Sequence, residues 1–471
     1  LCCFVFPLAC MDYAMKTNRW LCYQLLLFIL PLPFGGVADW AWPWFAAAAL
    51  ILLFAELRHV VLLQQVNQLE RLPLPEAFRR GLPLVAVLLT VQGWVALQWL
   101  VFSLSPFDSY MSLLKGLGLT AFFALTLLVL HSRERVMRAV WVVVLAAAFQ
   151  ALFGALMVLT GWEFGFFIEK TAYLGTATGT FVNRNHLAGY LEMALALGIG
   201  VLLAQSAHYS GSLRQRLRQL ITMLLSDKVI LRLLLAVMVI ALVLTRSRMG
   251  NSAFFASLMI AGGLALLLMR NKTRSTTILL SSLLVIDIAI VGTFFGVDKV
   301  AERLQATSSQ TESRDEVTRD TLAMWRGHPV TGTGAGTFIY TYPAFKGADV
   351  TSPKLYNNAH NDYAQFLAEF GAVAFAALVA VVGCCLFWAI MAMRQRRSDL
   401  YKGLGFSACM GIVALSIHSL VDFNLQIPAN AFMFMLVLAL AVIARWAPHK
   451  AAATPQLRSY KSPSAGKMGA L

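Results

Sequence analysis

Charge is scarce in this chain. Only 13% of its 471 residues are Asp, Glu, Lys or Arg, where a soluble domain carries about a quarter. Acidic residues are the scarcer sign, 23 against 38 basic ones. With 59% hydrophobic residues and a mean hydropathy of +0.70, a water-soluble domain is excluded. Cysteine is also sparse: Cys2, Cys3, Cys10, Cys22, Cys384, Cys385 and Cys409 fall in no long outward loop and show no zinc-site spacing. A disulfide framework and a structural metal are therefore not expected. No two of the 8 histidines have metalloprotease spacing, which argues against metal catalysis and against any metal cofactor.

What the chain has instead is a series of apolar runs, each of roughly 20 residues and long enough to cross a bilayer. About twelve are read as helical spans, near 20–35, 40–56, 82–101, 112–131, 139–160, 186–205, 229–245, 252–269, 276–296, 363–391, 403–421 and 427–445. The expected fold is an all-α polytopic membrane protein with a long periplasmic loop carrying short amphipathic helices. Its sections are an N-terminal segment 1–19, spans one to nine over 20–296, the loop 297–362, spans ten to twelve over 363–446 and a tail 447–471. Residues 1–10 are apolar but too short to span. The basic flank beginning at Lys16 suggests a natural start at Met11 or Met15, with a cleaved signal peptide as the other reading.

The net charge of +15 could suggest a nucleic-acid partner, but its placement argues against one. Alternate loops carry Arg58, Arg71, Arg79 and Arg80; Arg133, Arg135 and Arg138; Arg214, Arg216, Arg218 and Lys228; Arg270, Lys272 and Arg274; and Arg394, Arg396, Arg397 and Lys402. Both ends of the sequence are basic as well. This is the positive-inside pattern, which predicts cytoplasmic termini and anionic lipid as the partner of most of these charges. The segment 297–362 then faces outward, and unlike the inward loops it is nearly neutral. Its Trp325, Phe338, Tyr340, Tyr342, Phe345 and Tyr356 predict folded structure there. Residues 312–326 read as an amphipathic helix with Arg314, Val317, Thr321 and Trp325 on one face. The run Gly332-Thr333-Gly334-Ala335-Gly336-Thr337 looks like a phosphate loop, yet it follows no strand and lacks the Lys-Ser/Thr ending, so it reads as a tight turn.

Three polar groups on the outward side are candidates for chemistry. His360 lies in Asn357-Asn358-Ala359-His360-Asn361-Asp362, just before a helix that Asp362 and Gln365 open with capping-box spacing. It is either an interfacial histidine or a general base, since an unperturbed imidazole titrates near ~6.5 and suits proton removal at neutral pH. Glu369, two turns on, is either a polar contact within the bundle or part of the same site. The second group is cationic: Arg246 and Arg248 end the seventh span, Arg184 stands between Asn183 and Asn185, and Arg314 lies in the long loop. Arginine on the outward side opposes the charge rule, so each needs a carboxylate or an anionic ligand, and together they suit phosphate. The third is His418 with Asp422, four apart and expected on one helix face, either positioning a catalytic group or satisfying each other. Asp287, within the ninth span, is a further intramembrane acid without a nameable partner.

These segments resemble the O-antigen ligase and Wzy-type polymerase superfamily. The resemblance rests on Phe181-Val182-Asn183-Arg184-Asn185-His186-Leu187-Ala188, on Ser247-Arg248 at a span end, and on Arg314 through Trp325 leading to Gly332-Thr333-Gly334. It rests further on His360-Asn361 with Gln365, Glu369 and Gly371, and on His418 to Pro428. It covers about 180–430, the pieces lying in order on one membrane side. It implies a metal-independent glycosyltransferase of the membrane-embedded C type, without a cofactor. The donor would be a glycan on undecaprenyl diphosphate and the acceptor lipid A-core or a second glycan chain. By the same resemblance, Arg248 and Arg314 would bind the diphosphate, with Arg184 beside them and Arg246 as an alternative to Arg248. His360 would activate the acceptor hydroxyl. Asn183, Asn185, Asn361, Gln365, Glu369, His418 and Asp422 complete the expected substrate-binding set. The motifs serve a ligase, a repeat-unit polymerase or a protein-glycosylating enzyme alike. A transporter of lipid-linked glycan, using His360, Arg248 and Asp287 as a coupling path, is the competing class, and it predicts broken helices and an internal repeat.

Overall fold

The computed structural model describes residues 18–205, 227–270, 314–350 and 355–448, with a few positions between 277 and 285. The order is α1 (18–29), α2 (Trp42–Val66), α3 (Glu76–Leu97, continued by a π-helical turn Gln98–Phe102), α4 (Pro106–Val129) and α5 (Arg133–Thr160). A two-stranded hairpin follows, β1 (Phe164–Gly165) and β2 (Ile168–Glu169). Then come α6 (Arg184–Ala204), α7 (Asp227–Leu244), α8 (Arg248–Leu268), α9 (Arg314–Gly327), α10 (Phe338–Thr341), α11 (Asp362–Gln395), α12 (Asp399–His418) and α13 (Pro428–Trp446). Local chemistry sets several starts. Asn183, Ser247 and Asn361 cap α6, α8 and α11 by accepting bonds from Asn185 N, Gly250 N and Ala364 N. Proline opens α2, α4 and α13, where its missing N–H costs nothing.

Among the described residues, nine helices are long and apolar enough to cross a membrane. They coincide with nine of the expected spans. Two others form helices that fall short of that standard: α1 ends before Pro31 and Pro33, and α7 carries Asp227, Lys228 and Arg232. The expected span 276–296, with Asp287, lies mostly outside the described residues. The core centres on α6, whose apolar window is 94% buried, packed against α12 and α13. Gly200 and Gly403 let α6 and α12 approach closely, since a Cβ on either would strike the other helix. By contrast α2 and α11 present most of their apolar surface outward.

The bundle has two unlike ends. At one, Arg19 pairs with Glu56 at 3.0 Å, Arg135 lies over Trp20, Arg80 and Arg445 over Trp446, and Arg396 over Tyr401. The other end is stitched by backbone bonds between loops. Ala177 N donates to Leu244 O at 3.0 Å, Asp362 N to Ser419 O at 3.0 Å, and Leu104 N to Thr333 O at 3.0 Å.

The loop that reaches this second end is folded over its described part. Val317, Met324, Phe338, Tyr342, Val350, Ala359 and Ala368 form a small core, with Trp325, Phe345 and Tyr356 against it. Helix α9 is amphipathic as expected, but its buried face is Val317, Asp320, Thr321 and Met324, with Trp325 at the margin. The run 332–337 is not a phosphate cradle, because its N–H groups are already used. Thr333 N bonds Ala368 O, Gly334 N bonds Glu369 O, and Ala335 N bonds Gln98 Oε1, at 3.0–3.3 Å. It packs into a break in α11, where Gly371 takes φ 77 and ψ 166. Only glycine tolerates that backbone, and a Cβ there would fall on the Val330 carbonyl. Residues 362–370 thus form a separate cap, and the long span begins after the break.

Candidate active site

Asp422 is the centre of the second end. Its carboxylate is almost fully buried, accepts from Asn185 Nδ2 at 2.6 Å and from Phe423 N at 2.8 Å. His186 Nε2 stands 3.8 Å from one oxygen and Arg314 Nη1 4.0 Å from the other. Arg314 also donates to Val421 O at 2.9 Å. Burial alone would raise the Asp422 pKa, but His186, His418 and Arg314 outweigh it and hold the group below the usual carboxylate range. It is therefore a fixed negative charge that orients an amide, an imidazole and a guanidinium.

Next to it, Phe423 is wedged between two imidazoles. Its ring meets His186 edge-to-face at 4.6 Å and His360 at 4.8 Å between centroids. His360 is half-buried and adopts φ 52, a left-handed backbone that few non-glycine residues take. The following Asn361 spends its side chain on capping α11. Site residues from α6, α9, the turn before α11 and the turn after α12 thus converge: Asn185, Arg314, His360 and Asp422.

The other arginines lie around this group. Arg184 is half-buried with its guanidinium 5.7 Å from the Tyr173 ring. Arg248 is the first residue of α8 and is exposed. Gly250, two residues on, abuts Ala188 and Glu192, which puts the Arg248 end of α8 beside the first turns of α6. Arg246 is exposed too, with φ 53.

Several expected contacts turn out to hold the framework. His418 and Asp422 do not share a helix face, because α12 ends at His418 and Asp422 lies in the turn beyond. His418 Nδ1 instead meets Glu192 Oε1 of α6 at 2.8 Å, both side chains fully buried. Asp362 does not cap α11. Its buried carboxylate accepts from Ser419 Oγ at 2.7 Å and Leu425 N at 3.0 Å, tying α11 to the 419–427 turn. Gln365 accepts from Ala359 N at 3.0 Å, and Glu369 accepts from Phe338 N at 3.0 Å. Asn183 is the α6 cap.

Sequence reasoning missed His186, Glu192, Asp362 and Phe423 as parts of the site. The polar run opening α6 was a signal for His186, and a lone acid inside an apolar helix was one for Glu192. Nothing marks Phe423 in so apolar a chain.

Fold and site together define a polytopic all-α membrane protein with a cluster of arginine and histidine side chains at one end of its bundle. Residues 233–379 match the family model for O-antigen ligase. This match supports the resemblance to the O-antigen ligase and Wzy-type superfamily, and with it a membrane enzyme of ligase or polymerase type acting on lipid-linked glycan. The matched stretch includes Arg246, Arg248, Arg314, His360, Asn361, Gln365 and Glu369. Arg184, His418 and Asp422 lie outside it. No curated protein matches the chain.

Proposed function

We propose that this protein moves a glycan en bloc from undecaprenyl diphosphate to an acceptor hydroxyl at the periplasmic face of a bacterial inner membrane. The favoured reaction is O-antigen ligation to lipid A-core. The observation that carries this reading is the convergence of Arg314 and His360 on one turn, 421–423, at the end of the bundle opposite the one where Arg19, Arg80, Arg135, Arg396 and Arg445 gather. Under the positive-inside rule that basic end is cytoplasmic and the site outward.

In this scheme the acceptor oxygen attacks the anomeric carbon of the donor. Its proton passes to the His360 imidazole, and the bond from that carbon to the phosphate oxygen breaks with its electron pair leaving on the diphosphate. Arg314 and Arg248 offset the negative charge developing there, a kind of stabilisation often dominant in catalysis. Arg184, or Arg246 in place of Arg248, adds to the anion site. Asn185 and Asp422 orient these groups. No step requires a metal.

A transporter would share one feature, the broken helix at Gly371. Its exposed carbonyls are occupied, however: Phe370 O accepts from Trp94 Nε1 at 2.9 Å, and Glu369 O from Gln98 Nε2 at 2.8 Å. The break is packed against the loop, which favours the enzyme reading over a coupling-ion site there.

The test is purified protein in nanodiscs with lipid-linked glycan and lipid A-core, read by mass of the products. Glycan on lipid A-core is the expected result. Elongated glycan on the carrier would assign a polymerase, glycan on protein a protein-glycosylating enzyme. Movement of intact donor across the membrane without transfer would overturn the enzyme reading.

A further inference from the structure

An apolar groove of about 610 Å³ lies at the site end of the bundle, apart from the Asp422 cluster. Its walls are Ile29, Leu32, Pro33 and Phe34 after α1, Trp40, Trp44 and Phe45 at the start of α2, and Phe166, Phe167 and Ile168 at the hairpin tip. None of these walls is charged, so the groove fits a hydrocarbon chain and no headgroup. Trp44 is 73% exposed and Phe167 95% exposed, an arrangement that a water-facing surface does not tolerate over so large a patch. The groove also continues the outward apolar face of α2, through Ile51 and Phe54. Tryptophans at one end of such a face mark the level of a membrane interface. The occupant is therefore a chain entering sideways from the bilayer.

The groove is joined to the site by packing. Phe181 of the segment leading to Asn183 packs on Gly35, Pro428 of α13 packs beside Gly36, and Thr180 Oγ1 donates to Pro31 O at 2.8 Å. Transfer between two lipids needs two tail sites. The two cations chiefly assigned to the donor diphosphate, Arg248 and Arg314, come from α8 and α9, and neither helix contributes to the groove.

We infer that the groove holds a fatty acyl chain of the acceptor lipid, a lipid A-type molecule, while the donor's polyprenyl tail lies elsewhere. This inference rests on the proposed glycan transfer only for the word acceptor. It also decides between ligase and polymerase, since a polymerase's acceptor carries no fatty acyl chain.

The experiment uses the full chain in phosphatidylethanolamine/phosphatidylglycerol vesicles containing a phosphatidylglycerol with a diazirine in one acyl chain. Irradiation should label peptides 29–45 and 162–170, and purified lipid A should compete at lower concentration than polyprenyl phosphate. Stronger competition by polyprenyl phosphate would overturn the inference and make this the donor's tail site. Absence of label in both peptides would overturn it outright. Trp44→Ala with Phe167→Ala removes two exposed walls and leaves the buried core intact. It should raise the acceptor KM about tenfold and the donor KM far less, the mark of lost ground-state binding to one substrate. An equal rise in both would also refute the assignment. Labelling competed by lipid A in a protein that transfers no glycan would sink the proposed function and leave the groove assignment standing. Transfer without labelling would do the reverse.

Discussion

Asp422→Asn removes one charge and almost no volume, so it isolates what the carboxylate does. The native group accepts from Asn185 Nδ2 at 2.6 Å and from Phe423 N at 2.8 Å, with Arg314 and His186 at 4.0 and 3.8 Å. Asparagine has one acceptor oxygen, so its amide nitrogen must face either the Asn185 amide or the Phe423 N–H, donor against donor. At least one charge-assisted hydrogen bond is lost, worth roughly 1.5–3 kcal/mol, and a buried donor is stranded at a cost of about 1–3 kcal/mol. The expected loss is therefore about 2.5–6 kcal/mol of stability. The sign with pH follows from the depressed pKa of Asp422. Its stabilisation is fully present above the unfolded value of ~3.9 and disappears only as pH falls through the folded one. Between pH 5 and 8 the carboxylate's own contribution to the wild-type minus mutant difference should thus be flat, and the part owed to charged His186 and His418 should shrink as pH rises. Turnover should fall by about a hundredfold, as misplacing a catalytic group by an ångström does. Thermal unfolding in detergent across pH 5–8, beside glycan transfer at each pH, reads both quantities. Unchanged unfolding and full turnover would refute Asp422 as the organiser of Arg314 and His186. A stability difference that grows between pH 5 and 8 would refute the charge assignment.

Other substitutions probe the separate parts. His360→Ala should cost about 10²–10⁴ in transfer rate while leaving insertion and unfolding temperature near wild type, and normal turnover would remove it as the base. Arg314→Lys and Arg248→Lys should each lose most activity, because lysine cannot fork onto two phosphate oxygens; comparable turnover would count against diphosphate binding there. Glu192→Ala leaves His418 buried without its partner and should cost about 3–5 kcal/mol in chemical unfolding, whereas replacing both by Leu should recover much of that loss. Gly371→Ala forces a Cβ onto Val330 O in a backbone region open only to glycine, so folded yield should fall sharply, and normal yield would mean the break is not fixed.

The sequence made the spans legible because each is a long apolar run with polar caps, a local signal. It made legible which loops share an end of the bundle, because alternate loops differ in charge. It could not show that Asp422 leaves its helix neighbour His418 behind. That depends on where α12 stops, and the Ser419-Leu420-Val421 stretch has no glycine or proline to announce it. Nor could spacing reveal that Asp362 reaches Ser419 and Leu425, contacts between residues about sixty positions apart. The break at Gly371 had only an indirect signal, in that Asp362, Gln365 and Glu369 precede it and the next charge is Arg394, while its cause is the approach of residues 329–334 from another loop.

Those distant contacts sort the expected substrate-binding residues by what their side chains still have to offer. Asn183 and Asn361 spend their polar atoms on caps, Gln365 on the turn 358–359, Glu369 on the 332–338 loop and His418 on α6. Asn185 and Asp422 spend theirs on each other. A glycan or a diphosphate would have to break buried bonds to reach them, which a reversible binding event does not favour. Arg184, Arg246, Arg248, Arg314 and His360 are half-buried or exposed. The most exposed members of the set, Arg246 and Arg248, are cationic, whereas Glu369, His418 and Asp422 are buried as part of the frame. That polarity suits an anionic leaving group and a hydroxyl to be deprotonated. It also predicts which class of substitution separates function from folding: changes to these arginines and His360 should cost turnover, and changes in the frame should cost both.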